Sequence, residues 1–354
     1  MRIVQIAYLG SDNALGGVSE VVCNLSHEFN KAGAKSVIVA TANGTFVNNK
    51  NIYFFNKLSS FKSFINEYRP NIVVFHSIYE IKQIPYSNYL YKRGVPYVLV
   101  FHGGASCDNA KKHRIRKKIA NCLFFNNYVR RADTVVYLNT NERSKSVFRS
   151  INDSYAIIPN GVTMPDTVQK SYTGIITISF VSRLDYYGKG LDILLPVIER
   201  LMKEGWRDKL HFEFYGNPDK KVLAKLKNIE KIASYKGFVK GEEKKYAFEN
   251  ADIIILPSRS EGMPMTLLES LSYGKPCIVT EMTNMADLFV DNKCGWKIDL
   301  NEKSIYETII YAYYDYIKHR KDYFDRCISL ANKYEWRNVA KASLDLYNSI
   351  LRKQ

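Results

Sequence analysis

The 354-residue chain reads as an α/β protein of two halves, each built on a parallel sheet. Three observations carry this. Runs such as DIIILP and YVLVF have the length of strands, they alternate with helical stretches, and the alternation occurs twice. Continuous short apolar runs are the signature of strands buried on both faces, as in a parallel sheet covered by helices. Strands are expected at 2–9, 36–40, 71–75, 96–101 and 134–138, and again at 175–181, 210–215, 252–257 and 276–279. Between the halves, GVTMPDTVQKSYTG is polar, lacks periodicity and contains Pro165, and is read as a hinge. Residues 301–354 read as helical and are rich in Tyr and Lys.

Length and composition agree. A chain of this size accommodates two domains, and 46% hydrophobic residues supply two cores and exclude wholesale disorder. No apolar run approaches the roughly 20 residues of a membrane span, and the early first strand leaves no room for a signal peptide. The cysteines, at 23, 107, 122, 277, 294 and 327, form no CxxC or CxxxH pairing. They read as reduced thiols of a cytoplasmic protein rather than a disulfide frame or metal site.

Motifs fall where these strands end, the place where open α/β sheets bind ligands. Residues 252–269, DIIILPSRSEGMPMTLLE, run from a buried strand through a loop with Glu261 into a helix starting near Pro264. Glu269 then falls in the second turn, and Met265 and Thr266 in the first, where free amides and the helix dipole attract an anion. Two carboxylates flanking a phosphate perch suit a nucleotide-sugar, although either acid alone is commonly just solvated. In ISFVSRLDYYGKGLDILL (178–195), Arg183 and Lys189 bracket a loop that Gly188 and Gly190 are expected to loosen. Two cations near a helix N-terminus make a diphosphate clamp, and basic loop residues are also commonplace. Near the start, Gly16 and Gly17 precede Ser19 and Glu20 at a helix N-terminus. This is no GxGxxG, so a dinucleotide site is unsupported; the glycines permit either close ligand approach or a plain tight turn.

Taken in order, GGVSEVV, VLVFHGG (98–104), IIPNGV (157–162), VSRLDYYGKG (181–190) and SEGMPMTLLESLSYGKPCIVT (260–280) resemble glycosyltransferase family 4, the retaining GT-B enzymes with a glycosyltransferase group 1 domain. The resemblance covers nearly the whole chain, and its most specific block is the last. It implies two Rossmann-like doubly wound domains facing a central cleft: an acceptor-binding domain at 1–165, a nucleotide-sugar-binding domain at 166–335, and a final helix at 336–354 crossing back to the first. It implies a hexosyltransferase using a nucleoside-diphosphate sugar, a UDP-sugar in preference to a GDP-sugar, with retained anomeric configuration. By the same resemblance Arg183 and Lys189 neutralise the departing diphosphate, with Gly16, Gly17 and the amides of Met265 and Thr266 assisting. Glu269 takes the ribose hydroxyls, Glu261 and His102 the donor sugar, and Phe238 lies by the nucleobase. No D-x-D occurs, so no metal or other cofactor is expected. Met265 and Thr266 stand where many relatives carry Gly or small apolar residues, and Asp185-Tyr186-Tyr187 is bulkier than usual.

Charge adds a partner. Of the net +16, residues 1–170 hold +12, from 22 Lys and Arg against 10 Asp and Glu. Lys111, Lys112, Arg114, Arg116, Lys117 and Lys118 form the densest cluster, leading into a stretch with Leu123, Phe124 and Phe125. A solvated helix with its Phe residues in the core would read this way. So would a helix docked on an anionic inner membrane, where each nearby cation contributes about 1 kcal/mol and where a polyprenyl-diphosphate-linked acceptor of bacterial surface polysaccharide synthesis would be met. A nucleic-acid partner lacks any RNP, helix-turn-helix or finger signature. A sugar-nucleotide epimerase of GT-B architecture, or a basic membrane- or nucleic-acid-binding protein on a degenerate scaffold, are the alternatives.

Overall fold

A computed structural model describes residues 1–9, 16–41, 51–106, 114–166 and 169–353. They divide into two compact units, Met1–Gly161 with Trp336–Gln354, and Val162–Glu335.

The first unit is a seven-stranded parallel sheet of β1 (Arg2–Ala7), β2 (Lys35–Ala40), β3 (Ile52–Phe54), β4 (Ile72–His76), β5 (Tyr97–Val100), β6 (Thr134–Tyr137) and β7 (Tyr155–Ile157). The spatial order is β3-β2-β1-β4-β5-β6-β7, so the chain reverses its direction of travel between β1 and β4. Alternate side chains serve opposite faces, as the two-residue period of a strand demands. Val4, Ile6, Val73, Phe75, Leu99 and Phe101 join one core; Ala7, Leu9, Val22, Ile38 and Ala40 join the other. Helix Gly17–Lys31 turns Val21, Val22, Leu25 and Phe29 inward. The terminal helix Trp336–Leu351 packs on it, with the Phe29 and Tyr347 rings edge to face at 5.8 Å. Its Trp336 ring occupies the space that any side chain at Gly161 would need.

The second unit repeats the topology. Its strands are β8 (Ile176–Val181), β9 (Leu210–Tyr215), β10 (Ala233–Gly237), β11 (Ile253–Leu256), β12 (Cys277–Thr280) and β13 (Gly295–Ile298), in the order β10-β9-β8-β11-β12-β13. Both sheets thus carry the doubly wound order, with a switch point where ligands of such folds bind. The strands expected from sequence are all present with bounds within one residue, except that the first ends at Ala7 rather than 9. The sequence reading missed β3, β7, β10 and β13. Each lies at or toward a sheet edge and lacks the fully buried run of a central strand; β10, ASYKG, buries only its first residue. Residues 301–354 form two helices, Glu302–Asn332, bent at His319, and Trp336–Leu351.

The segment read as a hinge is anchored over its second half. Lys170 Nζ donates to the carbonyl of Asn250 (2.6 Å) and to Asp252 Oδ2 (2.9 Å), and Arg320 donates to the Lys170 carbonyl. Asp252, 1% exposed, also accepts the Thr177 amide. A buried carboxylate is costly without such partners, and this one fastens the polar connector to the start of β8.

Candidate functional site

The second unit's switch point lies between β8 and β11, and both expected loops leave the sheet there. Gly190, at the N-cap of helix Leu191–Lys203, has φ +71, and its backbone lies against the carbonyl of Pro257 at the end of β11. Gly188 donates its amide to Asp185 Oδ1 at 2.8 Å, and a side chain at 188 would meet that carboxylate. The two glycines therefore tighten the loop, where the sequence reading had them loosen it: what they permit is close packing against neighbouring backbone and a cap, not freedom.

This packing brings Lys189 onto Glu261. Nζ and Oε1 are 2.5 Å apart, with both side chains about 15% exposed. Glu261 is held from its other side, since its amide donates to the Met282 carbonyl (3.0 Å) and its carbonyl accepts from Asn284 Nδ2 (2.7 Å). Glu269, in helix Met265–Ser272, is ion-paired to Lys244 of helix Glu242–Asn250. Each glutamate meets a lysine, and of the two lysines Lys244 was not anticipated. Thr266 opens its helix as expected, and its hydroxyl donates to the Val181 carbonyl at 2.8 Å, tying the helix start to the end of β8. Arg183 stands apart from Lys189's pairing: its side chain is 73% exposed and its partner is Asp185, at 3.5 Å. Phe238 follows β10 directly and is 43% exposed, available to a planar ligand rather than part of the core.

In the first unit, Gly16 caps helix Gly17–Lys31 with an extended backbone (φ −64, ψ 161) and open space where a side chain would stand. Among the described residues nothing requires glycine there. His102 and Gly103 follow β5 in consecutive left-handed conformations, φ +50 and +78. The turn is fastened by Glu142, 2% exposed, whose carboxylate accepts the Gly103 amide (2.5 Å) and the Leu138 amide (2.6 Å). His102 Nε2 meets His76 Nδ1 at 2.9 Å, and His76 Nε2 meets Gln5 Oε1 at 3.2 Å. Both rings border a small cavity lined also by Asn160, Ser343 and Tyr347. His76, Gln5 and Glu142 escaped the sequence reading, because only the fold brings β1, β4, β5 and residues 138–142 to one place.

Both imidazoles are held neutral. Burial pushes His102 down to about 4, and burial together with the neighbouring ring pushes His76 well below its ordinary 6.5. The unfolded chain therefore takes up protons first as pH falls, so stability is full above about 6.5 and is lost toward 4. The expected loss is at most about 1.4 kcal/mol per pH unit for each ring. Calorimetric melting from pH 7 to 4 should show a slope that His102→Asn reduces; an unchanged slope would count against the buried neutral pair.

The basic cluster is partly described, since Lys111, Lys112 and the Arg114 side chain lie outside the described residues. The stretch is helical from Arg114 to Arg130, with a π-turn at Asn121–Phe125. Phe125 is core, at 2% exposure, whereas Ile115 (76%), Ile119 (55%), Leu123 (60%) and Phe124 (45%) face outward beside exposed Arg116 and Lys118. Lys117 does not join them; its ammonium lies over the Tyr79 ring, 4.9 Å from the centroid. No described helix is long and apolar enough to cross a membrane. Among the described residues no group of three His, Cys, Asp or Glu could hold a metal. Cys107 lies outside them, and the described cysteines are free thiols.

Residues 167–326 match the family described as Glycosyl transferases group 1. The whole chain superposes on sucrose-phosphate synthase from Thermosynechococcus elongatus, with a TM-score of 0.76, 13% identity and all of both chains covered. It superposes on Anabaena HepE in complex with UDP with a TM-score of 0.74, 13% identity, and 99% and 100% covered. The fold is GT-B. In sequence, an uncharacterized glycosyltransferase of Methanocaldococcus jannaschii is 24% identical over 182 residues, 48% of this chain and 44% of the relative. The chain spans less than half the length of the curated relatives it matches. On this GT-B scaffold, Lys189, Glu261, Lys244 and Glu269 all belong to the stretch that matches the group 1 family.

Proposed function

We propose that the chain is a retaining, metal-independent glycosyltransferase. It moves a hexose-type sugar from a nucleoside-diphosphate sugar, a UDP-sugar in preference to a GDP-sugar, to a saccharide or lipid-linked acceptor of bacterial surface polysaccharide synthesis. The observation that carries the reading is the pair of lysine–glutamate contacts at the carboxyl ends of β8 and β11, inside the stretch that matches the group 1 family. The UDP of the Anabaena neighbour supports the choice of nucleotide.

In this reading Lys189 exchanges Glu261 for the diphosphate. The freed Glu261 then accepts hydrogen bonds from the sugar, while Glu269, oriented by Lys244, takes the ribose. Exposed Arg183 swings from Asp185 to the phosphates, and Phe238 covers the base. The amides of Gly16, Gly17, Met265 and Thr266 add donors, and neutral His102 offers a hydrogen bond to a hydroxyl rather than a charge. The acceptor oxygen bonds the anomeric carbon as the carbon–phosphate-oxygen bond breaks, and the acceptor proton passes to the departing diphosphate. Positive charge placed where that negative charge develops is the principal source of rate.

A thermal-shift panel of UDP, GDP and their sugars, run with and without EDTA, tests this. One nucleotide family at about 100 times its Kd should stabilise the chain by about 2.7 kcal/mol, and EDTA should leave the shift and turnover intact. No response to any nucleotide, or full loss of activity reversed by Mg²⁺, would overturn it.

The outward apolar stripe beside Arg116 and Lys118 supports peripheral attachment to an anionic membrane from the cytoplasmic side, with Lys111, Lys112 and Arg114 as further cations. Sedimentation with vesicles of phosphatidylglycerol should carry the protein down, and Leu123→Glu with Phe124→Glu should release it. Binding by the double variant equal to wild type would place the contact elsewhere.

A further inference from the structure

Three side chains of the second unit meet at a point no motif singled out. Arg259 lies two residues before Glu261. Its guanidinium forks onto Asp192, NH1 to Oδ1 at 2.6 Å and NH2 to Oδ2 at 2.8 Å. NH1 also donates to the Tyr187 carbonyl, and the Tyr187 ring covers the guanidinium, 3.8 Å from its carbon to the centroid. The Arg259 amide donates to the Gly188 carbonyl at 3.0 Å. Every one of these partners belongs to the 185–192 loop and the first turn of the helix that follows it. Arg259 therefore fastens the loop carrying Lys189 to the loop carrying Glu261, from both sides of Lys189 in sequence.

A planar five-donor fork is needed for this, since an ammonium supplies neither the bidentate pair nor the flat face that stacks on Tyr187. The arginine and aspartate are each about 20% exposed, so the pair is less screened than a surface bridge. Anchored so, Lys189 and Glu261 meet with little further ordering to be done when a ligand arrives, which is the condition for strong electrostatic assistance.

We propose that Arg259 is a positioning residue of the donor site, acting through Lys189 and Glu261 by holding the 185–190 loop on the 257–261 loop. Its catalytic consequence rests on the donor reading above; its anchoring role does not.

The test uses the full chain and Arg259→Lys, with Tyr187→Ala as a second variant that removes only the exposed stacking ring. Hydrogen exchange of peptides spanning 185–190 reads the anchoring without any ligand. It should quicken about tenfold in Arg259→Lys and less in Tyr187→Ala, with exchange in β8 and β11 unchanged. Unchanged exchange at 185–190 would overturn the proposal. With donor, kcat should fall by about 10²-fold for Arg259→Lys, as a displacement near 1 Å can cause, with KM altered less. In the Lys189→Ala background the same change should cost well under its wild-type effect, because one of the two residues it positions is gone. A full multiplicative loss there would mean that Arg259 acts independently and would also overturn it. If exchange responds as expected while the wild-type chain neither binds nor turns over any nucleotide-sugar, the donor reading fails and the catalytic consequence fails with it.

Discussion

A Lys189→Ala chain is expected to keep its fold and to lose about 10²- to 10³-fold in turnover, the range seen when one preorganised charge-stabilising donor is removed. The size follows from where the ammonium sits. Its side chain is only 15% exposed, its loop is fixed by two glycines and by Arg259, and its ion-pair partner among the described residues is Glu261 at 2.5 Å. A leaving diphosphate would find that cation already desolvated and aimed. Arg183 differs in kind: at 73% exposure and 3.5 Å from Asp185, its pair contributes about 0–1 kcal/mol to stability, so Arg183→Ala should leave melting unchanged and reduce rate less than Lys189→Ala. Removing Lys189 also leaves Glu261 partly buried without its cation, a cost of about 1–3 kcal/mol. Initial rates against donor concentration, with melting temperatures alongside, separate the two effects. A kcat near wild type in Lys189→Ala would sink the assignment of the diphosphate to this lysine.

Much of this site was legible because its chemistry is local. The seven residues between Glu261 and Glu269, the loop of Arg183 and Lys189, and the helix start at Met265 all follow from one strand, one loop and one helix read in sequence. The central strands were legible for the same reason, since burial on both faces leaves a continuous apolar run. Partner choice was not. Lys244 stands in a polar EEKK run with nothing to mark it, and it meets Glu269 only because helix Glu242–Asn250 and helix Met265–Ser272 flank the same strand, β11. His76 closes β4, and its contact with His102 depends on β4 and β5 pairing in register, His76 beside Val100. Arg259 lay inside a motif whose glutamate drew attention, while its own partners lie 67 to 72 residues away. The edge strands failed for an energetic reason: half-exposed, they need no apolar run, and β10 is held by pairing with β9.

Gly190→Ala should be among the most damaging single-methyl additions in the second unit, and a series of glycines shows why. Gly205, φ +83, has open space around an added Cβ, so Gly205→Ala isolates the cost of a left-handed backbone, about 1–2 kcal/mol. Gly188 lacks a positive φ, and an added Cβ would meet only the Asp185 carboxylate, a side chain able to swing aside. Gly190 combines both penalties: φ is +71, and the added atom would collide with the backbone carbonyl of Pro257, which the end of β11 holds in place. Neither partner can yield without moving a central strand or the start of helix Leu191–Lys203. The sum is expected to reach about 3–4 kcal/mol, lowering the melting temperature by roughly 6–16 °C for a unit of this size. The same displacement would carry Lys189 away from Glu261, so donor binding should weaken even at temperatures where the variant stays folded. Calorimetry on the three alanine variants reads the order Gly190 above Gly205 and Gly188. Equal losses at 190 and 205 would mean that the Pro257 carbonyl gives way, and that the approach of the two loops is not fixed by backbone contact.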